Sequence, residues 1–139
     1  MEQRFGSLRF MAPRQGLHVI SAAVAKWVSA QDISDGLLTL FIRHTSASLL
    51  IQENAAPAVR RDLERWLTKL APESGEYEHD EEGPDDMPAH LRSSVTQTQL
   101  SIPVRDRAML LGTWQGIYLW EHRRLPSERE VALHLLGTR

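Results

Sequence analysis

The 139-residue sequence contains no cysteine, which excludes a disulfide framework, a thiolate metal ligand and a cysteine nucleophile. Any chemistry must run on other groups, and a chain without thiols fits a reducing compartment. No apolar run approaches the roughly 20 residues of a membrane span, and the amino terminus, MEQRFGSLRF, has charges where a secretory signal needs an apolar core. The expectation is a cytoplasmic protein with no membrane partner. A strong charge of either sign is also missing. The formal net charge is -2 and no basic stripe alternates with aromatics, so no nucleic-acid partner is expected. Lysine is scarce, two residues against fourteen arginines, so most cations are forked donors suited to carboxylate or phosphate.

What is present fits one domain over residues 1–139, large enough to bury a core. Gln3 to Phe10 and Gly16 to Ile20 flank Ala12-Pro13-Arg14-Gln15 and read as two strands joined by a turn. Ser21 is placed to cap a short helix over about Ala22 to Gln31. Leu37 to Arg43 and Ala47 to Gln52 read as buried strands, interrupted by His44-Thr45-Ser46. Pro57 opens an amphipathic helix whose stripe of Val59, Leu63, Trp66, Leu67 and Leu70 is assigned to the core. Gln97 to Val104, Ala108 to Leu111, Thr113 to Arg123 and Arg129 to Leu136 are strand-like, with reversals at Asp106-Arg107 and Pro126-Ser127. The sum is an α+β domain with a mainly antiparallel sheet and two to three helices packed on one side.

Titrating groups concentrate in YEHDEEGPDDMPAHLRSS, Tyr77 to Ser94, which holds two histidines and six carboxylates. Neutral imidazole and carboxylate oxygen both suit divalent first-row ions, so His79, Asp80, Asp85, Asp86 and His90 are candidate ligands. Asp85-Asp86 before Pro88 marks a helix entry, and His90 and Ser94 then share a helical face. Eight of the eighteen acidic residues lie between Glu73 and Asp86. An acidic segment on an otherwise basic body can be held by arginines, by a cation or by a neighbouring subunit.

Elsewhere, His44-Thr45-Ser46 places an imidazole and two hydroxyls at a strand end, where ligands commonly bind. Asn54 ends the next strand, and Gly112-Thr113-Trp114-Gln115-Gly116 suggests a bulge or a close backbone approach, without the lysine and following helix of a phosphate-binding P-loop. Each has a plainer reading: hydroxyls bonding nearby backbone, a turn or cap at Asn54, a solvated acidic loop. Strand alternation puts Trp114, Tyr118, Trp120 and His122 on one face and Ile117, Leu119, Glu121 and Arg123 on the other. Such a strand is either central or at a subunit interface. His18 and His134 lack any partner pattern and are assigned to packing or the surface.

Together, HTSASLLIQEN (His44 to Asn54), YEHDEEGPDDMPAHLRSS and LGTWQGIYLWEHR (Leu111 to Arg123) resemble the YjbQ-like family of small proteins in order and spacing, over nearly the whole chain. The resemblance implies an α+β fold of the family's own and a homotrimer. Some members carry the name secondary thiamine-phosphate synthase, for a weak ability to join a pyrimidine diphosphate to a thiazole phosphate. Carried over by motif, it points to His44, Thr45, Ser46 and His90 as catalytic residues, and to Asn54, Ser94, Gln115, Gly116 and Arg123 as contacts to a small phosphorylated molecule. A divalent metal ion, zinc or magnesium, is expected on His79, His90 and either Asp86 or His44. Arg92 stands where relatives commonly have lysine, and there a fork replaces a point charge. Two other readings share the same pocket: a non-catalytic small-metabolite-binding protein, and a metal-dependent hydrolase.

Overall fold

Alternating residues near the amino terminus form one long strand, β1 (Glu2–Ala12), whose odd-numbered side chains face out and whose even-numbered ones face in. The computed structural model describes residues 1–139. After β1 come β2 (Gly16–Val19), α1 (Ser21–Ala30), β3 (Asp35–Ile42), β4 (Ala47–Glu53), α2 (Pro57–Leu70) and α3 (Asp86–Ser94). The chain closes with β5 (Gln99–Arg105), β6 (Ala108–Met109), β7 (Gln115–Glu121) and β8 (Ser127–Thr138). No helix is long and apolar enough to cross a membrane.

All strand pairs are antiparallel, and the strands divide into two sheets ordered β1-β8-β3-β5-β6 and β2-β7-β4. The main core lies between them: Leu38, Leu40 and Ile42 of β3 and Val131, Leu133 and Leu135 of β8 meet Ile117 and Leu119 of β7, with Val24 and Val28 of α1. The opposite face of β7 has its own cover. Tyr118 and Trp120 pack with Leu17 and with Leu67 of α2. Of the two readings open for this strand, the structure selects the central one, because both faces are covered within the chain.

Two local expectations change. Only Leu67 of the α2 stripe is fully buried, while Trp66 and Leu70 remain 54% and 53% exposed, because the three-stranded sheet beneath is too narrow to cover the stripe. Ser21 is the first residue of α1 rather than its cap, and its hydroxyl accepts the Ile117 amide of β7 at 2.8 Å. The β5-β6 reversal falls at Asp106 and Arg107 as expected, with φ of +49° and +65° and no glycine. The Asp106 amide donates to Asp35 Oδ1 at 3.0 Å and that of Arg107 to Ser34 O at 2.9 Å, which holds the turn.

The pairing of β4 with β7 decides what can share a site. Ala47 lies opposite Glu121, and Glu53 lies opposite Gln115. One end of this pair therefore carries the His44–Ser46 loop and Arg123, while the other carries Asn54 and Gly112 to Gly116. Six residue steps of β-strand separate the ends by about 20 Å.

Candidate functional site

Asp86 opens α3 and His90 follows one turn later on the same face, so the carboxylate and the imidazole project together. The loop before the helix returns His79 to the same point. His79 Nε2 lies 2.8 Å and His90 Nε2 3.4 Å from the same oxygen, Asp86 Oδ2. The two rings stand edge to face at 5.7 Å. The carboxylate is buried, at 3% exposure, and its other oxygen accepts Arg123 Nη1 at 2.6 Å.

Arg123, just past β7, is the anchor of this arrangement. Its Nε donates to Asp85 Oδ2 at 2.9 Å and its Nη2 to the Glu82 carbonyl at 3.0 Å, while the Arg124 amide also donates to Asp85 at 2.9 Å. One guanidinium thus spans the adjacent carboxylates and ties the acidic loop to the sheet. Burial alone would raise the Asp86 pKa, but the hydrogen bond from His79 and the charge of Arg123 outweigh it and hold the carboxyl below its ordinary range. The same hydrogen bond holds His79 above the usual imidazole value.

The three groups fit a divalent ion. Their donor atoms all lie within 4.8 Å of one another. Donors on a tetrahedral zinc ion sit about 3.3–3.5 Å apart, given metal–ligand bonds of about 2.0–2.2 Å. The His90–Asp86 separation of 3.4 Å has that value. His79 is closer because it now shares a proton with Asp86, and a cation would take that proton's place.

His44 is not part of this group. Its Nε2 accepts the Glu130 amide at 2.8 Å, which ties the ring to β8 and leaves Nδ1, 3.4 Å from Arg129 Nη1, as the protonated nitrogen. Burial, then the Arg129 charge, hold its pKa below the ordinary value, so the ring is neutral. His44 and Thr45 do line a cleft of about 470 Å³ together with His90 and Ser94. Ser94, last in α3, donates its hydroxyl to the Leu91 carbonyl at 2.7 Å. Ser46 points away, with its Oγ accepting Arg129 Nη2 at 3.0 Å.

The remaining candidates are placed elsewhere. Arg123 donates through Nε, Nη1 and Nη2 to two carboxylates and a carbonyl, which places it behind Asp86. Asn54, Gln115 and Gly116 cluster at the far end of β4 and β7. There Gln115 Oε1 accepts the Gly112 amide at 2.8 Å, and a Cβ on Gly116 would sit 2.8 Å from Asn54 Nδ2. The close approach expected from the glycine is to the asparagine side chain. Arg92, buried at 5% exposure, donates through Nε and Nη2 to the Ala71 carbonyl at 3.1 and 2.9 Å, closing the end of α2.

Beneath the His44–Ser46 loop lies a buried polar layer that the sequence reading missed. Arg129 forms a two-pronged pair with Glu121 at 2.7 and 2.5 Å and donates to the Ser46 carbonyl at 3.2 Å. Beside it, Ser48 Oγ and His122 Nε2 are 2.9 Å apart, each 1% exposed. Burial, reinforced by Arg92 and Arg129, pushes the His122 imidazole down to about 3. A signal for this layer existed. Alternation along β7 put Glu121 on the face of Ile117 and Leu119, and an acid on an interior face calls for a cationic partner.

Residues 7–138 match the family described as UPF0047 protein YjbQ-like. A UPF0047 protein from Synechocystis sp. is 48% identical over 124 residues, covering 88% of this chain and 84% of that protein. The UPF0047 protein YjbQ of Escherichia coli O157:H7 is 41% identical, covering 94% of this chain and 96% of that one. Among solved structures, a yjbq/upf0047 family protein from Clostridium acetobutylicum superposes with a TM-score of 0.82 at 34% identity, covering 96% of this chain and 99% of that one. A protein from Sulfolobus solfataricus shares the fold with a TM-score of 0.90 at 24% identity, over 98% of each chain.

Proposed function

The chain belongs to the YjbQ-like UPF0047 family, and on that footing we propose that His79, Asp86 and His90 hold a divalent ion with which the protein acts on a small phosphorylated molecule. The observation that carries this reading is the convergence of two imidazole nitrogens on one oxygen of a buried carboxylate whose other oxygen is fixed by Arg123. Two nitrogen donors favour zinc over magnesium. When bound, the ion supplies Lewis-acid charge neutralisation for a phosphoryl or pyrophosphoryl group. The chain's own part is to orient Asp86 through Arg123 and to present both imidazoles from one side.

The reaction in best accord with the family resemblance is thiamine-phosphate synthesis. There the thiazole nitrogen forms a bond to the pyrimidine methylene carbon, the carbon–oxygen bond to the diphosphate breaks, and pyrophosphate leaves with the electron pair. A second reading, metal-dependent ester hydrolysis, draws on the donor count, since three protein ligands leave one tetrahedral position for water. We propose a cytoplasmic homotrimer; its self-association is supported by the apolar outer face of the larger sheet, where Phe5, Leu37 and Leu136 are each at least 41% exposed.

The test is a multiple-turnover assay on zinc-loaded protein with the pyrimidine diphosphate and thiazole phosphate, run beside a phosphomonoester and carboxylester panel with and without chelator. Product in molar excess over wild-type protein, absent from Asp86→Asn, supports the reading. Product that never exceeds one equivalent would make the protein a binder of small metabolites instead.

A further inference from the structure

The three-donor group has two unlike sides. Beside His79 is a cleft of about 420 Å³ whose lining includes Glu78 and Glu81, and the adjoining hollow adds Glu73, Glu76 and Asp80. Beside His90 is the cleft of about 470 Å³, and none of its nine lining residues is a carboxylate. It is lined by Arg43, by the hydroxyls of Thr45, Ser93, Ser94 and Thr98, and by the apolar Phe41 and Ile42. Arg43 pairs with Glu130 at 2.9 Å, while Arg9 pairs with Glu128 at 3.0 Å and reaches Glu130 at 3.8 Å. The amides of His44, Thr45 and Ser46, outside every strand, donate to no protein acceptor. His44 serves this loop as a strut, its ring fastened to the Glu130 amide.

Coulomb's law separates the two sides. An anion approaching past Glu78, Glu81 and Asp80 is repelled, whereas the His90 side has no carboxylate in its lining and offers the Arg43 guanidinium, the hydroxyls of Thr45 and Thr98 and the unbonded amides of His44 and Thr45. A metal cation is favoured on the acidic side for the same reason. We infer that the cleft between the His44–Ser46 loop and α3 is the anion subsite of this centre, receiving the phosphate of a ligand whose flat apolar portion lies against Phe41. This assignment rests on the proposed metal site for what lies beyond His90. The cleft's volume falls within the roughly 300–1,000 Å³ of small-molecule sites, enough for a phosphorylated heterocycle. It also moves the phosphate away from Gln115, which lies at the far end of β7, and from Arg123, whose Nε, Nη1 and Nη2 already donate to Asp85, Asp86 and the Glu82 carbonyl.

The probe is inorganic pyrophosphate, titrated calorimetrically into metal-free and zinc-loaded protein, with zinc content measured on the same samples. Thr98→Glu places a carboxylate in the cleft at an exposed position, whereas Glu81→Lys reverses a charge on the acidic side. Thr98→Glu is expected to weaken pyrophosphate about tenfold or more without changing zinc content, since one opposed charge at contact range has that effect. Glu81→Lys is expected to leave pyrophosphate affinity within about twofold and to weaken zinc. Wild-type pyrophosphate affinity in Thr98→Glu overturns the subsite. So does a Glu81→Lys effect as large as that of Thr98→Glu, because the charge would then act from either side. If wild-type protein takes up no zinc, the proposed function fails on its own, and the metal-free comparison of Thr98→Glu with wild type still decides the cleft. Ser94→Asp, on the opposite wall, repeats the test should Thr98→Glu not fold.

Discussion

Acid should destabilise this protein through His122 well before its carboxylates titrate. The imidazole is 1% exposed, bonded to Ser48, and held down to about 3 by burial and by the charges of Arg92 and Arg129. In the unfolded chain the same ring titrates near the ordinary value of about 6.5. Between these values the unfolded state binds the proton and the folded state does not. The neutral ring's contribution is therefore complete above about pH 6.5 and is lost as pH falls toward 3. At pH 5 the gap of about 1.5 pH units, at 1.36 kcal/mol each, removes about 2 kcal/mol of stability. His79 acts in the opposite direction, because its folded pKa is raised, but it is present in both proteins compared. The depressed pKa values of Asp85 and Asp86 act below pH 4. The perturbation is His122→Gln, whose amide still reaches Ser48 and cannot ionise. Urea unfolding at pH 7 and pH 5, at fixed protein concentration, should show wild type losing about 2 kcal/mol more than the variant. Equal losses would refute the reasoning. Should the variant not fold, histidine proton NMR of wild type decides the same point, since a His122 resonance titrating near pH 6 would sink it.

The other predictions concern the anchors of the site. His90→Ala should abolish stoichiometric zinc uptake, read by elemental analysis, while the melting temperature stays within about 3 °C of wild type. Arg123→Lys keeps the charge but loses the fork across Asp85 and Asp86, so zinc affinity measured by competition with a chelating dye should fall about 10- to 100-fold. Unchanged affinity would remove Arg123 from the positioning of Asp86. Arg129→Met strands the buried Glu121 carboxylate and should cost about 3–5 kcal/mol in urea unfolding. Adding Glu121→Leu should recover most of that loss, and no recovery would argue against a stranded charge.

The strands were legible because each carries its own alternation and its own turn residues. The expected strand over Leu37 to Arg43 forms as Asp35–Ile42, and Pro57 opens α2 at 57–70. The breadth of burial was not legible, since periodicity gives the direction of a stripe and not the width of the surface beneath it. Trp66 and Leu70 are exposed for that reason. In the candidate site, the helix entry at Asp85-Asp86 and His90 on that helix were readable, and His79 lay in the same short segment. His44 was not readable. Its ring is committed to Glu130, 86 residues later, through a loop-to-strand contact that no local pattern announces.

The clamp formed by Arg123 has a consequence for motion. In a chain with no thiol to lock distant segments covalently, the stretch from Glu82 to Asp86 is tethered to the end of β7 by one guanidinium and the Arg124 amide. Detachment of this flap should therefore follow ionic strength, and exchange of the Arg124 amide proton with deuterated solvent should quicken as salt is raised.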